Sequence, residues 1–144
     1  MAQADDHTAR VVLVDAHPMV LLSAGMVLSG EGIEVVAATA QLDLAVRVAK
    51  SGRANVLVMD LWRRDGSPYA RIADLRRALP TTAIVILTME AEAASATAAI
   101  AAGAGAYVMK DRAELELGDA VRAAADGRVF ISDAVTPVAA AHAA

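Results

Sequence analysis

Four polar residues close short apolar runs in this chain. Asp15 follows "RVVLV", Asp60 follows "NVLVM", Thr88 ends "AIVILT" and Lys110 follows "AYVM". Paired carboxylates suit a hard divalent cation with oxygen ligands. A hydroxyl and an ammonium suit an anionic group such as a phosphoryl. Lys110 is one of only two lysines, with Lys50, among 13 basic residues. The neighbour of Asp15 is Ala16, a methyl where a second acid would complete a metal site. Strand ends are also where polarity returns in any fold. For one such position that is the simpler reading, but four on one edge favour a site.

These residues need a scaffold that brings strand ends together. After a polar tail, residues 1–9, strands and helices alternate. Strands are expected over Arg10–Asp15, Ile33–Ala38, Asn55–Asp60, Ala83–Thr88 and Ala106–Lys110. Helices are expected over Pro18–Gly30, Leu42–Gly52, Tyr69–Pro80, Ala91–Gly103 and Ala113–Gly127, several closed by Gly or Pro. Continuously apolar strands mean both sheet faces are covered. Right-handed crossovers then give a single α/β domain, residues 10–127, with a doubly wound five-stranded parallel sheet of flavodoxin-like order 2-1-3-4-5. Strands 1 and 3 are neighbours in that order, so Asp15 and Asp60 should face each other. Strands 4 and 5 carry Thr88 and Lys110 to the same rim. Residues 128–144 fit no sixth βα unit and read as an extension or the start of a linker.

Bulk properties exclude several functions. Net charge is −4, so there is no general electrostatic claim on nucleic acid, and no basic recognition helix is present. Cysteine is absent, which removes disulfides, Cys-ligated zinc and thiol catalysis and suits a reducing cytoplasm. No apolar run reaches the roughly 18 residues of a membrane span. No Gly-rich phosphate loop follows strand 1, so an organic cofactor has no support.

The array Asp15, Asp60, Thr88 and Lys110 resembles the receiver domain of two-component response regulators, over about Arg10 to Val135. "VDAHP", "GAGAYVMKD" and "AADGRVFISDAV" are similar to the NarL/LuxR-type branch. The resemblance implies that Asp60 accepts a phosphoryl group from a histidine kinase. It implies that Mg²⁺ is held by Asp15, Asp60 and the backbone carbonyl of Trp62. It implies that Thr88 and Lys110 contact the phosphoryl group and that Tyr107 turns inward with Thr88 to carry the signal. No catalytic residue set is implied, so the chain reads as a non-enzyme. A homodimer, or a heterodimer with another response regulator, would form, with helices 1 and 5 as the interface. DNA would be bound only through a helix-turn-helix domain beyond this chain.

Several positions depart from that pattern. Ala16 replaces an acid, which lowers both charge and ligand count. Arg64 and Pro68 stand where the loop after Asp60 has Pro and Gly. Met89 stands where a small residue is normal and would partly roof Asp60. Arg63 and Arg64 add positive charge. The expectation is a metal-poor pocket in which Lys110 pairs with Asp60 and with Asp15, in place of the missing cation, with Asp60 an inefficient acceptor. His17 is expected to be a helix-start residue rather than a ligand. Met19, Met26 and Met59 are expected in the core. "AEAASATAAIAAG" is expected to be either a close-packed contact face or a thinly packed helix. The readings that compete are a conventional receiver, a small flavodoxin-like enzyme or ligand carrier using Asp15 and Asp60, and a stand-alone module that binds a partner.

Overall fold

The computed structural model describes residues 8–61 and 66–135. Trp62 and Arg64 therefore lie outside the described residues, with Arg63, Asp65 and most of both terminal tails. The strands are β1 (Arg10–Val14), β2 (Glu34–Thr39), β3 (Val56–Met59), β4 (Ala83–Thr88), β5 (Ala106–Met109) and β6 (Phe130–Ile131). The helices are α1 (Pro18–Gly30), α2 (Leu42–Lys50), α3 (Pro68–Ala78), α4 (Ala93–Ala102) and α5 (Ala113–Ala125). A single 3₁₀ turn, Lys110–Arg112, joins β5 to α5.

The sheet runs β2-β1-β3-β4-β5-β6, and every pair is parallel. The order expected from the βα alternation is present, with a sixth strand added. Phe130 and Ile131 pair with Ala106 and Tyr107 on the outer edge of β5. The extension after α5 thus begins inside the sheet. Two residues leave no periodicity to read, and β6 takes its hydrogen bonds from a strand edge that would otherwise face solvent.

Successive side chains of each strand point to opposite faces. Val12, Val14, Leu57, Met59, Ile84, Ile86, Tyr107 and Met109 face one layer, where α2, α3 and α4 pack. Val11, Leu13, Val56, Val58, Val85, Leu87, Ala106 and Val108 face the other, beneath α1 and α5. The helices are not held equally. Leu117 and Val121 anchor α5, whereas the buried face of α4 is Ala96 and Ala99, with Ile100 only partly covered. Exchanging a buried leucine for alanine costs about 2–5 kcal/mol in other proteins. An alanine face is therefore a light attachment, consistent with the thinly packed reading of α4. Gly103 closes α4 at a φ of 126°, and a β-carbon there would stand 2.8 Å from Arg76 Cγ. The left-handed backbone and the close approach both require glycine at that corner.

The expectation that Met19 and Met26 fill the core is wrong. Met19 is 71% and Met26 67% exposed, whereas Met59 is buried. Helix α1 carries no charged residue, so its apolar pattern runs round the helix and does not single out a buried face. Ala24 and Leu28 take that face.

Candidate functional site: an acidic pocket closed by a lysine

The strand register builds the site. Val14 pairs with Met59, and the next residue on each strand is a carboxylate, Asp15 and Asp60. Thr88 pairs with Met109, and Lys110 follows at once as the first residue of the 3₁₀ turn. Lys110 Nζ donates a hydrogen bond to Asp60 Oδ2 at 3.0 Å. It also lies 2.9 Å from Asp15 Oδ2. That second contact is an ion pair, and among the described residues Asp15 Oδ2 is buried with no aligned hydrogen-bond donor. One ammonium thus faces both carboxylates, as the sequence led us to expect.

The other oxygen of Asp15 belongs to His17. The His17 backbone N–H donates to Asp15 Oδ1 at 2.8 Å, and the imidazole Nδ1 lies 3.0 Å from the same atom. His17 is also the residue that starts α1. Its carbonyl accepts from Val20 and Leu21, and Pro18 follows in the first turn. The helix-start role was expected, but the grip on Asp15 was not. The Asp-x-His spacing carried that signal, because an Asp side chain commonly accepts from the N–H two residues on.

Burial drives the Asp15 carboxyl up, but the His17 backbone N–H, the Lys110 ammonium and the His17 ring outweigh it. Asp15 is held below its ordinary value. Burial drives Lys110 down, and its contacts with Asp15 and Asp60 outweigh that, so Lys110 is held above its ordinary value. Asp15 and Lys110 are therefore both charged at neutral pH.

Thr88 and Tyr107 meet at a residue the sequence did not single out. The Thr88 hydroxyl accepts the Glu90 N–H at 3.2 Å, and the Tyr107 hydroxyl donates to the Glu90 carbonyl at 2.6 Å. Tyr107 is fully buried. Burial, with Glu90, Tyr69, Asp60 and Glu92 nearby, pushes its phenol well above the ordinary value. Both backbone groups of Glu90 are thereby tied, one to each side chain. No side-chain signal could have revealed this.

The atypical positions divide. Ala16 is exposed at the rim and brings no side-chain oxygen. Pro68 is buried as the first residue of α3, with Ser67 capping the helix by accepting the Ala70 N–H. Met89 follows Thr88 and is 63% exposed. Trp62 and Arg64 lie outside the described residues. As for Mg²⁺, the described residues offer the carboxylates of Asp15 and Asp60, and both already face Lys110. No group of three or more metal-ligating side chains occurs among the described residues.

With this geometry in view, comparisons with known proteins are informative. Residues 11–122 match the family model of the response regulator receiver domain. The chain is 35% identical over 132 residues to an uncharacterized transcriptional regulatory protein, YxjL, of Bacillus subtilis (strain 168), covering 84% of this chain and 56% of that protein. The chain thus spans about half the length of the curated relative it matches. Among solved structures, a LuxR-family two-component response regulator from Aurantimonas sp. SI85-9A1 superposes with a TM-score of 0.83 at 30% identity, covering 95% of this chain and 99% of that one. A structure of two RcsB dimers bound to two parallel DNAs superposes with a TM-score of 0.76 at 26% identity, covering 89% and 65%. This chain belongs to the receiver-domain family of two-component response regulators.

Proposed function

We propose that the chain is the signal-input and dimerisation domain of a transcription-controlling response regulator whose acidic pocket is neutralised from within by Lys110. Asp60 is the phosphoacceptor, and an inefficient one. The observation that carries this is the position of Lys110 Nζ, 2.9 Å from Asp15 Oδ2 and 3.0 Å from Asp60 Oδ2. Phosphoryl transfer requires an Asp60 oxygen to attack phosphorus while the bond to the donor's leaving group breaks. An attack through Oδ2 must first give up part of its ammonium partner. In ordinary receivers a divalent cation neutralises the charge that develops. Here Lys110 supplies one positive charge, Ala16 supplies no metal ligand, and Mg²⁺ binds weakly.

Treatment with acetyl phosphate, read by intact mass, tests this. The expected result is a slow single adduct, absent in Asp60→Ala, whose rate changes less than about three-fold with millimolar Mg²⁺. A fast, complete adduct that requires Mg²⁺ would show a conventional phosphorylation-switched receiver instead.

The histidine kinase that serves Asp60, a cytoplasmic location, and DNA binding through a helix-turn-helix domain beyond this chain belong to the same reading. The length of the curated relative and the DNA-bound RcsB dimers support it. Dimerisation uses α1 and α5. Met19, Leu22 and Met26 form an exposed apolar stripe on α1, and Leu115 of α5 is 69% exposed. Contiguous exposed apolar surface marks an interaction site. The partner is a second copy or another response regulator. Leu22→Glu should weaken self-association at least ten-fold in analytical ultracentrifugation, since a charge would then be buried without a partner. An unchanged distribution in a chain that does self-associate would move the interface elsewhere.

A further inference from the structure

Glu116 lies on α5, is 6% exposed and takes no part in the acidic pocket. A buried carboxylate is costly unless it is paired and hydrogen-bonded. Its partners come mostly from the segment that follows α5. The Ser132 hydroxyl donates to Glu116 Oε1. The Asp133 N–H donates to Oε2 at 3.2 Å, and Arg112 reaches the same oxygen at 3.4 Å. The Ser132 hydroxyl oxygen also accepts the Ala134 N–H at 3.3 Å.

The strand in this segment is only two residues long. Phe130 donates to the Gly105 carbonyl at 3.2 Å and Ser132 to the Tyr107 carbonyl at 2.8 Å. Those two bonds lie on a sheet edge, flanked by Val129 at 60% and Ile131 at 43% exposure. Yet Ser132 is 3% exposed. Charge and strap satisfy each other: without the strap Glu116 keeps only the Arg112 contact, and without Glu116 the strap keeps its edge bonds and the partial packing of Phe130 and Val135 on the core.

The remaining partner, Arg112, ends the 3₁₀ turn that begins at Lys110. Its contact is the longest of the three to Glu116, and its Nε is buried with no hydrogen-bond partner among the described residues. One short turn therefore carries the cation of the acidic pocket at its first residue and the least secure contact of the Glu116 cluster at its last.

We propose that Glu116 and Ser132 form a latch that fixes where the chain leaves the domain, and that the turn Lys110–Arg112 couples this latch to the acidic pocket. Withdrawal of Lys110 from Asp15 and Asp60 loosens the strap over Ser132–Ala134. The consequence for an output domain rests on the receiver reading; the latch does not.

Amide hydrogen exchange on the 144-residue chain tests both halves. In Glu116→Gln and in Ser132→Ala, the amides of Ser132, Asp133 and Ala134 should exchange about ten-fold faster or more, while β1 and β3 stay protected. Wild-type exchange there in both variants would overturn the latch. Lys110→Met and Arg112→Met should each speed the same amides at least three-fold. Arg112→Met removes a Glu116 partner and leaves the pocket intact, so it reads the latch, whereas Lys110→Met reads the coupling. If Lys110→Met leaves these amides at the wild-type rate while the latch variants speed them, the coupling is wrong. The measurement needs no phosphate, so a failure of Asp60 to accept phosphate would count against the proposed function and leave these outcomes readable.

Discussion

Lys110→Ala should lower the stability of the domain by about 2–4 kcal/mol at pH 7, a fall of about 1–2 M in the urea midpoint. The lysine side chain is 13% exposed, Asp15 3% and Asp60 18%. Breaking a fully buried ion pair by removing one partner costs about 3–5 kcal/mol. The solvent that reaches Lys110 and Asp60 places this case somewhat lower. Two carboxylates would then face each other with no cation between them.

The pH dependence follows in sign. Asp15 is held below its unfolded value, so its stabilising contribution is present above about pH 4 and is lost as pH falls through the folded value. Lys110 is held above its unfolded value, so its contribution is full below about pH 10 and is lost as pH rises through the folded value. The wild type should therefore show a plateau between those limits. In Lys110→Ala the facing carboxylates repel, and one binds a proton more tightly in the folded state than in the unfolded. The deficit should shrink as pH falls toward 5. A midpoint equal to wild type at pH 7 would mean that Lys110 does not neutralise the pocket.

Ala16→Asp should have the largest effect on metal. Residue 16 is exposed at the rim, so an acid there carries little desolvation cost. Even with the full dielectric of water, a unit charge about 4 Å from a divalent cation contributes about 2 kcal/mol, roughly thirty-fold in affinity. Mg²⁺ binding by calorimetry should tighten by at least that factor. Acetyl phosphate should then modify Asp60 faster and in a Mg²⁺-dependent manner. Equal rates in wild type and Ala16→Asp would remove the argument that the missing acid limits phosphorylation.

Some of this was readable from residue types and some was not, for physical reasons. The strands were legible because "RVVLV", "NVLVM" and "AIVILT" are continuous apolar runs that only a doubly covered sheet needs. Strand order then made Asp15 and Asp60 neighbours, and the scarcity of lysine drew notice to Lys110. The face of α1 was not legible, because a helix apolar all round gives no direction, and Met19 and Met26 were misplaced. Strand β6 was too short to show a period. Glu116 looked like any acid on a helix; its burial depends on Ser132, sixteen residues on. The two bonds of the Glu90 backbone are invisible in a side-chain reading. Local chemistry was readable, whereas contacts made by the backbone or by a distant segment were not.

The lysine in the acidic pocket is attached to the chain, and attachment changes a competition. A tethered cation has an effective concentration set by geometry, commonly in the millimolar range or above, and it does not vary with the medium. On the proposed reading, a free divalent ion competes with it for the same two carboxylates. The electrostatic state of the pocket would then be written into the polypeptide and buffered against changes in ion supply. A kinase or a partner surface that draws Lys110 away would act on the pocket as a change in ion concentration acts on an ordinary metal site.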